Sequence, residues 1–163
     1  MHFCHGTGEY SGTNSVSNVV LTLHDCERPV KCTSGGSYGD GTVVTSPLDG
    51  VLGVIKTGET AKQDKIGLNL FPDGGANLTS FNCAGLPYVF RGSVIVPVKA
   101  NKMLTSATLK WAGAKGKQKP LQFEGGEVQT LEMSTNANPF EQTSFALSAL
   151  QTNEQPIAIN SVV

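Results

Sequence analysis

Nowhere in these 163 residues does an apolar run approach the roughly 20 residues needed to span a bilayer, and no secretory leader precedes Cys4. Membrane insertion is not expected, and the chain reads as soluble, in a mature or trimmed form. Charge is scarce as well. Only 15% of residues are charged, and 12 Lys+Arg against 13 Asp+Glu leave a net charge of -1. Without a strong field of either sign, nucleic acid and a membrane surface are poor partners. Catalytic signatures are scarce too: there is no His-x-x-x-His pair, and the three histidines are confined to the first 24 residues. No catalytic residue and no cofactor are assigned, and the chain is read as not an enzyme. No segment sustains a helical period, and no repeat or domain boundary interrupts residues 1–163.

What the chain does have is glycine and turn chemistry, with 19 Gly and 8 Pro, a composition that favours an all-β fold. Its length suits one domain with one core. The longest β-prone run, Tyr88 to Lys99, reads as a central strand. Phe90, Val94 and Val96 fall on one face, and Val89 and Ile95 flank Arg91 and Ser93 on the other. Pro97 helps to end it. Around it, Asn18–Cys26 is expected to form a first hairpin with the Gly-rich segment near Gly6–Gly12, which brings Cys4 close to Cys26. Thr42–Ser46 and Val51–Thr57 flank Pro47-Leu48-Asp49-Gly50 as a second hairpin. Lys65–Phe71 alternates as a half-buried strand, and Leu104–Trp111 places Ala107, Leu109 and Trp111 on one face. Ala112–Gln122 reads as a Lys- and Gly-rich loop, Val128–Met133 as a short strand, and Phe140–Leu150 with Gln155–Val162 as a terminal hairpin. The expectation is a single-domain antiparallel β-sandwich or barrel of about ten strands.

Four cysteines, Cys4, Cys26, Cys32 and Cys83, are an even number in a small domain whose composition suits the cell exterior. They predict two disulfides and no free thiol. Cys26–Cys32 with Cys4–Cys83 is preferred to Cys4–Cys26 with Cys32–Cys83, because it closes a short loop around Pro29 and ties the N-terminal strand to the strand entry at Cys83.

The other constellations each have a bland reading that outweighs the sharp one. His2, Cys4, His5, His24 and Cys26 match tetrahedral zinc in type but no established spacing, so no metal is assigned. Cys32 or Cys83 with His24 could make a nucleophilic pair, yet nothing local supports one. Asp40, Asp49, Asp64 and Asp73 stand at or near glycines, where turn capping explains them better than calcium. Arg91 is expected to pair with Glu124, Glu127 or Glu132. Trp111, Tyr10, Tyr38 and Tyr88 could form a glycan platform, although Trp111 sits on a core-like face. Lys110, Lys115, Lys117 and Lys119 read as a solvated basic loop, with attraction to an anionic wall polymer as the functional alternative.

Gly-Thr-Gly-Glu-Tyr-Ser-Gly at 6–12, Lys-Cys-Thr-Ser at 31–34, Arg-Gly-Ser-Val-Ile at 91–95, Gly-Lys-Gln at 116–118, Phe-Glu-Gly-Gly at 123–126 and Pro-Phe-Glu-Gln at 139–142 resemble a family of uncharacterised, secreted, β-rich actinobacterial proteins. The resemblance runs nearly end to end. It implies a secretion signal, cysteines in positions like these four and an extracellular or cell-surface location, and it brings no activity. The expected function is a secreted, non-enzymatic cell-envelope domain, structural or self-associating, with a glycan- or cell-wall-binding module as the alternative. The C-terminal strand, 155–163, is the candidate for homo-oligomer formation by strand addition, because no charge after Glu154 blunts it. The competing expectation places that strand inside a sheet, paired on both sides.

Overall fold

The computed structural model describes residues 3–11, 14–26, 30–99 and 103–159. In chain order its strands are β1 (Phe3–Tyr10), β2 (Ser15–His24), β3 (Cys32–Thr33), β4 (Val43–Val44), β5 (Leu48–Lys56), β6 (Lys65–Pro72) and β7 (Thr79–Cys83). They continue as β8 (Leu86–Gly92), β9 (Val94–Val98), β10 (Met103–Ala114), β11 (Lys117–Lys119), β12 (Leu131–Thr135), β13 (Glu141–Gln142) and β14 (Leu147–Ala158). Two single 3-10 turns, Ala61–Gln63 and Asp73–Gly75, are the only helical pieces among the described residues.

The strands form three antiparallel sheets. A six-stranded sheet runs β1-β2-β5-β6-β9 with β4 also on β2, a five-stranded sheet runs β13-β12-β8-β7-β3, and a three-stranded sheet runs β11-β10-β14. The all-β expectation therefore holds, while the barrel alternative does not, since among the described residues no ladder joins the sheets into a closed ring. The first hairpin is β1–β2, in which Cys4 stands opposite Leu23, three residues short of Cys26.

The run from Tyr88 to Lys99 is not one strand. It belongs to β8 as far as Gly92, resumes as β9 at Val94, and changes sheets in between. Gly92 makes the change possible: its φ is +98°, and a Cβ there would collide with the Thr130 carbonyl oxygen. Period two persists through the break, so Phe90, Val94 and Val96 still reach one core. Ile95, on the other face of β9, is fully buried as well.

Asp49-Gly50 likewise does not turn the chain. Leu48 is buried and opens β5, and both β4 and β5 pair with β2 rather than with each other. Gly50 is required by proximity: a Cβ would meet Val16 Cγ2 at 2.7 Å and Leu70 Cδ2 at 2.9 Å. β6 is covered on both faces rather than half-buried. Ile66 and Leu70 point into one side, and Gly67 and Asn69 are buried on the other. That second side is roofed by 121–130. A Cβ on Gly53 would sit 2.7 Å from the Phe123 ring, and the Gln129 side-chain oxygen accepts from Asn69 Nδ2 at 3.2 Å and Ser93 Oγ at 2.7 Å.

Two apolar clusters follow from this layout. The larger joins Leu48, Leu70, Val94 and Val96 of the six-stranded sheet to Leu78, Leu131 and Trp111. The smaller gathers Cys26, Cys32, Val43, Cys83 and Tyr88. Beside it Phe81 stacks on Tyr88 and Phe90 at centroid distances of 5.5 and 5.7 Å.

Candidate functional site

β10 and β14 form a long antiparallel ribbon, with Ser106 opposite Thr152, Thr108 opposite Leu150, Lys110 opposite Ser148 and Trp111 opposite Leu147. Alternation sorts its side chains. Ala107, Leu109, Trp111, Leu147 and Ala149 turn toward the core side, whereas Thr108, Lys110, Ser148, Leu150 and Thr152 are exposed. Trp111 is 1% exposed and Leu150 is 69% exposed. The register slips between Leu104 and Ser106, where β14 carries extra residues around Asn153–Pro156. Asn153 bridges that irregularity by accepting from Gln151 Nε2 at 2.7 Å and donating to the Leu104 carbonyl at 3.1 Å.

The expected terminal hairpin is thus replaced by one continuous strand. Among the described residues β14 forms a ladder with β10, not with the Phe140–Leu150 segment or the Tyr88–Lys99 run that the competing expectation put on either side of 155–163. β1 comes near β14 without forming a ladder with it. From Leu147 to Thr152 the strand has no charge, proline or glycine, the devices that usually blunt an edge. Asn160–Val163 lie outside the described residues. The edge is therefore centred further back in the chain than 155–163, and the unbroken alternation of Leu147, Ala149 and Gln151 is the signal that could have located it.

The segment read as a loop, 112–122, is in part the second half of another hairpin. β10 continues to Ala114, turns through Lys115 and Gly116 at φ +52° and +71°, and returns as β11. Gln118, 2% exposed, fixes the return: its Nε2 donates to the carbonyls of Ala112 at 2.9 Å and Phe145 at 3.1 Å, and its Oε1 accepts the Phe145 N–H at 3.0 Å.

Among the cysteines, Cys32 and Cys83 are bridged. The preferred pairing of Cys26 with Cys32 is overturned because β3 lies against β7 with Cys32 directly opposite Cys83. Cys26 is a buried free thiol, against the expectation of none. Burial raises its pKa above the ordinary thiol value. Its Sγ lies 3.6 Å from the Leu23 carbonyl oxygen. His2 lies outside the described residues, and so do the side chains of Cys4 and His5. Among the described residues no group of three or more His, Cys, Asp or Glu could hold a metal ion.

Arg91 meets one of its three expected partners, Glu132, with Nε donating to Oε2 at 2.7 Å, and its guanidinium carbon lies 3.8 Å above the centre of the Phe140 ring. The aromatic platform is not assembled: Trp111 and Tyr88 are buried, Tyr38 is exposed, and the Tyr10 side chain is outside the described residues. The acidic positions are also dispersed. Asp64 accepts the Gly58 N–H at 2.8 Å, Asp73 opens a 3-10 turn, and Asp49 sits inside β5. Glu124 accepts both the N–H and the hydroxyl of Thr57, and these bonds hold its carboxyl below the usual carboxylate range.

Fold and site together define an all-β, disulfide-bridged protein with a long, uncharged strand edge at β14 and a lysine-bearing hairpin beside it. No family model, no curated protein and no solved structure matches the chain.

Proposed function

We propose that this protein is a secreted, non-enzymatic domain of the cell envelope that associates with copies of itself by strand addition along β14. In this reading the six-stranded and five-stranded sheets form a β-sandwich, and the β10–β14 ribbon adds Trp111 to their shared core. The observation that carries the reading is the open edge of Leu147–Leu150, for which no strand other than β10 forms a ladder among the described residues. Its backbone donors and acceptors on the side away from β10 call for another strand, and two copies related by a two-fold axis present the same antiparallel edge to each other. Among the other sheet edges, β3, β11 and β13 are two or three residues long, Pro97 interrupts β9, and the eight-residue β1 carries Gly6, Gly8 and a register shift between Thr7 and Glu9. A buried disulfide fits an oxidising compartment, which supports placement outside the cell.

Mass measured by light scattering over a dilution series tests the reading. The wild type is expected to shift from monomer to dimer as concentration rises, and Leu150→Lys, which charges the exposed side of the edge, is expected to remain monomeric with an unchanged fold. A wild type that is monomeric at every concentration, or a Leu150→Lys variant that associates like the wild type, contradicts it. Retention of a monomeric wild type on cell-wall polysaccharide would favour the alternative of a wall-binding module.

A further inference from the structure

The β10–β11 hairpin carries four of the chain's lysines at 110, 115, 117 and 119, and no Asp or Glu occurs between Asp73 and Glu124. Register shows what the linear sequence hides. Ala112 stands opposite Lys119 and Ala114 opposite Lys117, so both lysines share the exposed side of the ribbon with Lys110, while Lys115 sits at the turn. All four are exposed, and none makes an ion pair among the described residues. The opposite side of the hairpin is pinned by buried Trp111 and by the three hydrogen bonds of Gln118. The ammonium groups are therefore mounted on a fixed scaffold, with charged positions recurring about every 7 Å along the strands.

From this arrangement we propose that the outer face of the β10–β11 hairpin binds an extended polymer of phosphodiester-linked units. Lysine supplies compact point charges that suit tetrahedral phosphate, whereas planar carboxylates are matched best by the fork of arginine, and this face has no arginine. Nucleic acid would also bring phosphodiesters. Single strands, however, are held by aromatic side chains interleaved with the cations, and the only aromatic residue of the hairpin, Trp111, is buried on the other side. Lys110 and the edge of β14 are neighbours across one ladder, so a polymer lying on this face would run beside the proposed self-association edge.

Fluorescence anisotropy with a labelled glycerol-phosphate oligomer tests the proposal. Binding is expected to weaken steadily with added salt, as counterion release requires. The triple variant Lys110→Gln, Lys117→Gln, Lys119→Gln should lose roughly a hundredfold in affinity, from about fivefold for each surface lysine. The charge-conserving replacements of the same three residues by Arg should retain binding. The control triple Lys31→Gln, Lys62→Gln, Lys65→Gln, at exposed lysines outside the hairpin, should bind like the wild type. Equal losses in both Gln triples would overturn the proposal, as would tighter binding to a polyuronate, to single-stranded DNA or to anionic vesicles than to the phosphodiester oligomer. Melting temperature, read alongside, separates a folding defect in the first triple from loss of the binding face.

Discussion

Cys32 and Cys83 face each other across the β3–β7 ladder and are joined covalently although 51 residues separate them in sequence. The bridge fastens a two-residue edge strand, too short to hold itself, onto the five-stranded sheet. Loop-closure entropy for a ring of this size predicts about 4 kcal/mol of stabilisation. The double variant Cys32→Ala, Cys83→Ala should therefore unfold at markedly lower urea, and an unchanged midpoint would show that the bridge does not constrain the unfolded chain.

Cys26 belongs to the same buried cluster but carries a free thiol with a raised pKa. Its reaction with iodoacetamide should be negligible in the native protein and complete once the unreduced chain is unfolded, with Cys32–Cys83 still intact. Peptide mapping reads both outcomes. Rapid native labelling at Cys26, or its recovery in a disulfide, would contradict the assignment.

The sheet change at Gly92 gives a sharper test of the fold. Gly92→Ala places a methyl against the Thr130 carbonyl in a backbone conformation unsuited to alanine, and should cost several kcal/mol. Gly85→Ala is the control, since its φ is +80° but nothing lies within 4 Å of the added Cβ. It should cost about 1 to 2 kcal/mol. Equal melting temperatures for the two variants would contradict the close approach at Gly92 that the change of sheet requires.

Much of this architecture is legible from residue patterns, and what is not has a definite cause. The β1–β2 hairpin, the extent of β6, the burial of Val94 and Trp111 and the pairing of Arg91 with a glutamate all follow from local periodicity or charge. The break at Gly92 is hidden because Phe90, Val94 and Val96 keep the same parity on both sides of it. Asp49-Gly50 has turn chemistry, yet the approach of Val16 and Leu70 from neighbouring strands decides its conformation. Cysteine pairing was open because four cysteines allow three connectivities. The partner of β14 is β10, some forty residues earlier, and no local pattern in 147–158 names a strand that distant.

Glu124 links acidity to the anchoring of 121–130. Its pKa is depressed by the Thr57 bonds, so the stability it contributes is present above the ordinary glutamate range and is lost as pH falls through the depressed folded value. Glu124→Gln should remove that part of the acid sensitivity. Urea midpoints at neutral and acidic pH should then differ less in the variant than in the wild type, and an equal difference would refute the assignment.

Self-association along β14 is tested most directly by amide hydrogen exchange across Leu147–Leu150 at low and high protein concentration. Alternate backbone groups of an antiparallel edge point away from its existing partner. Those amides should exchange fast in dilute protein and become protected as concentration rises, while the amides bonded to β10 remain slow throughout. Protection across Leu147–Leu150 that does not change with concentration, or fast exchange of the outward amides even at high concentration, would contradict the account.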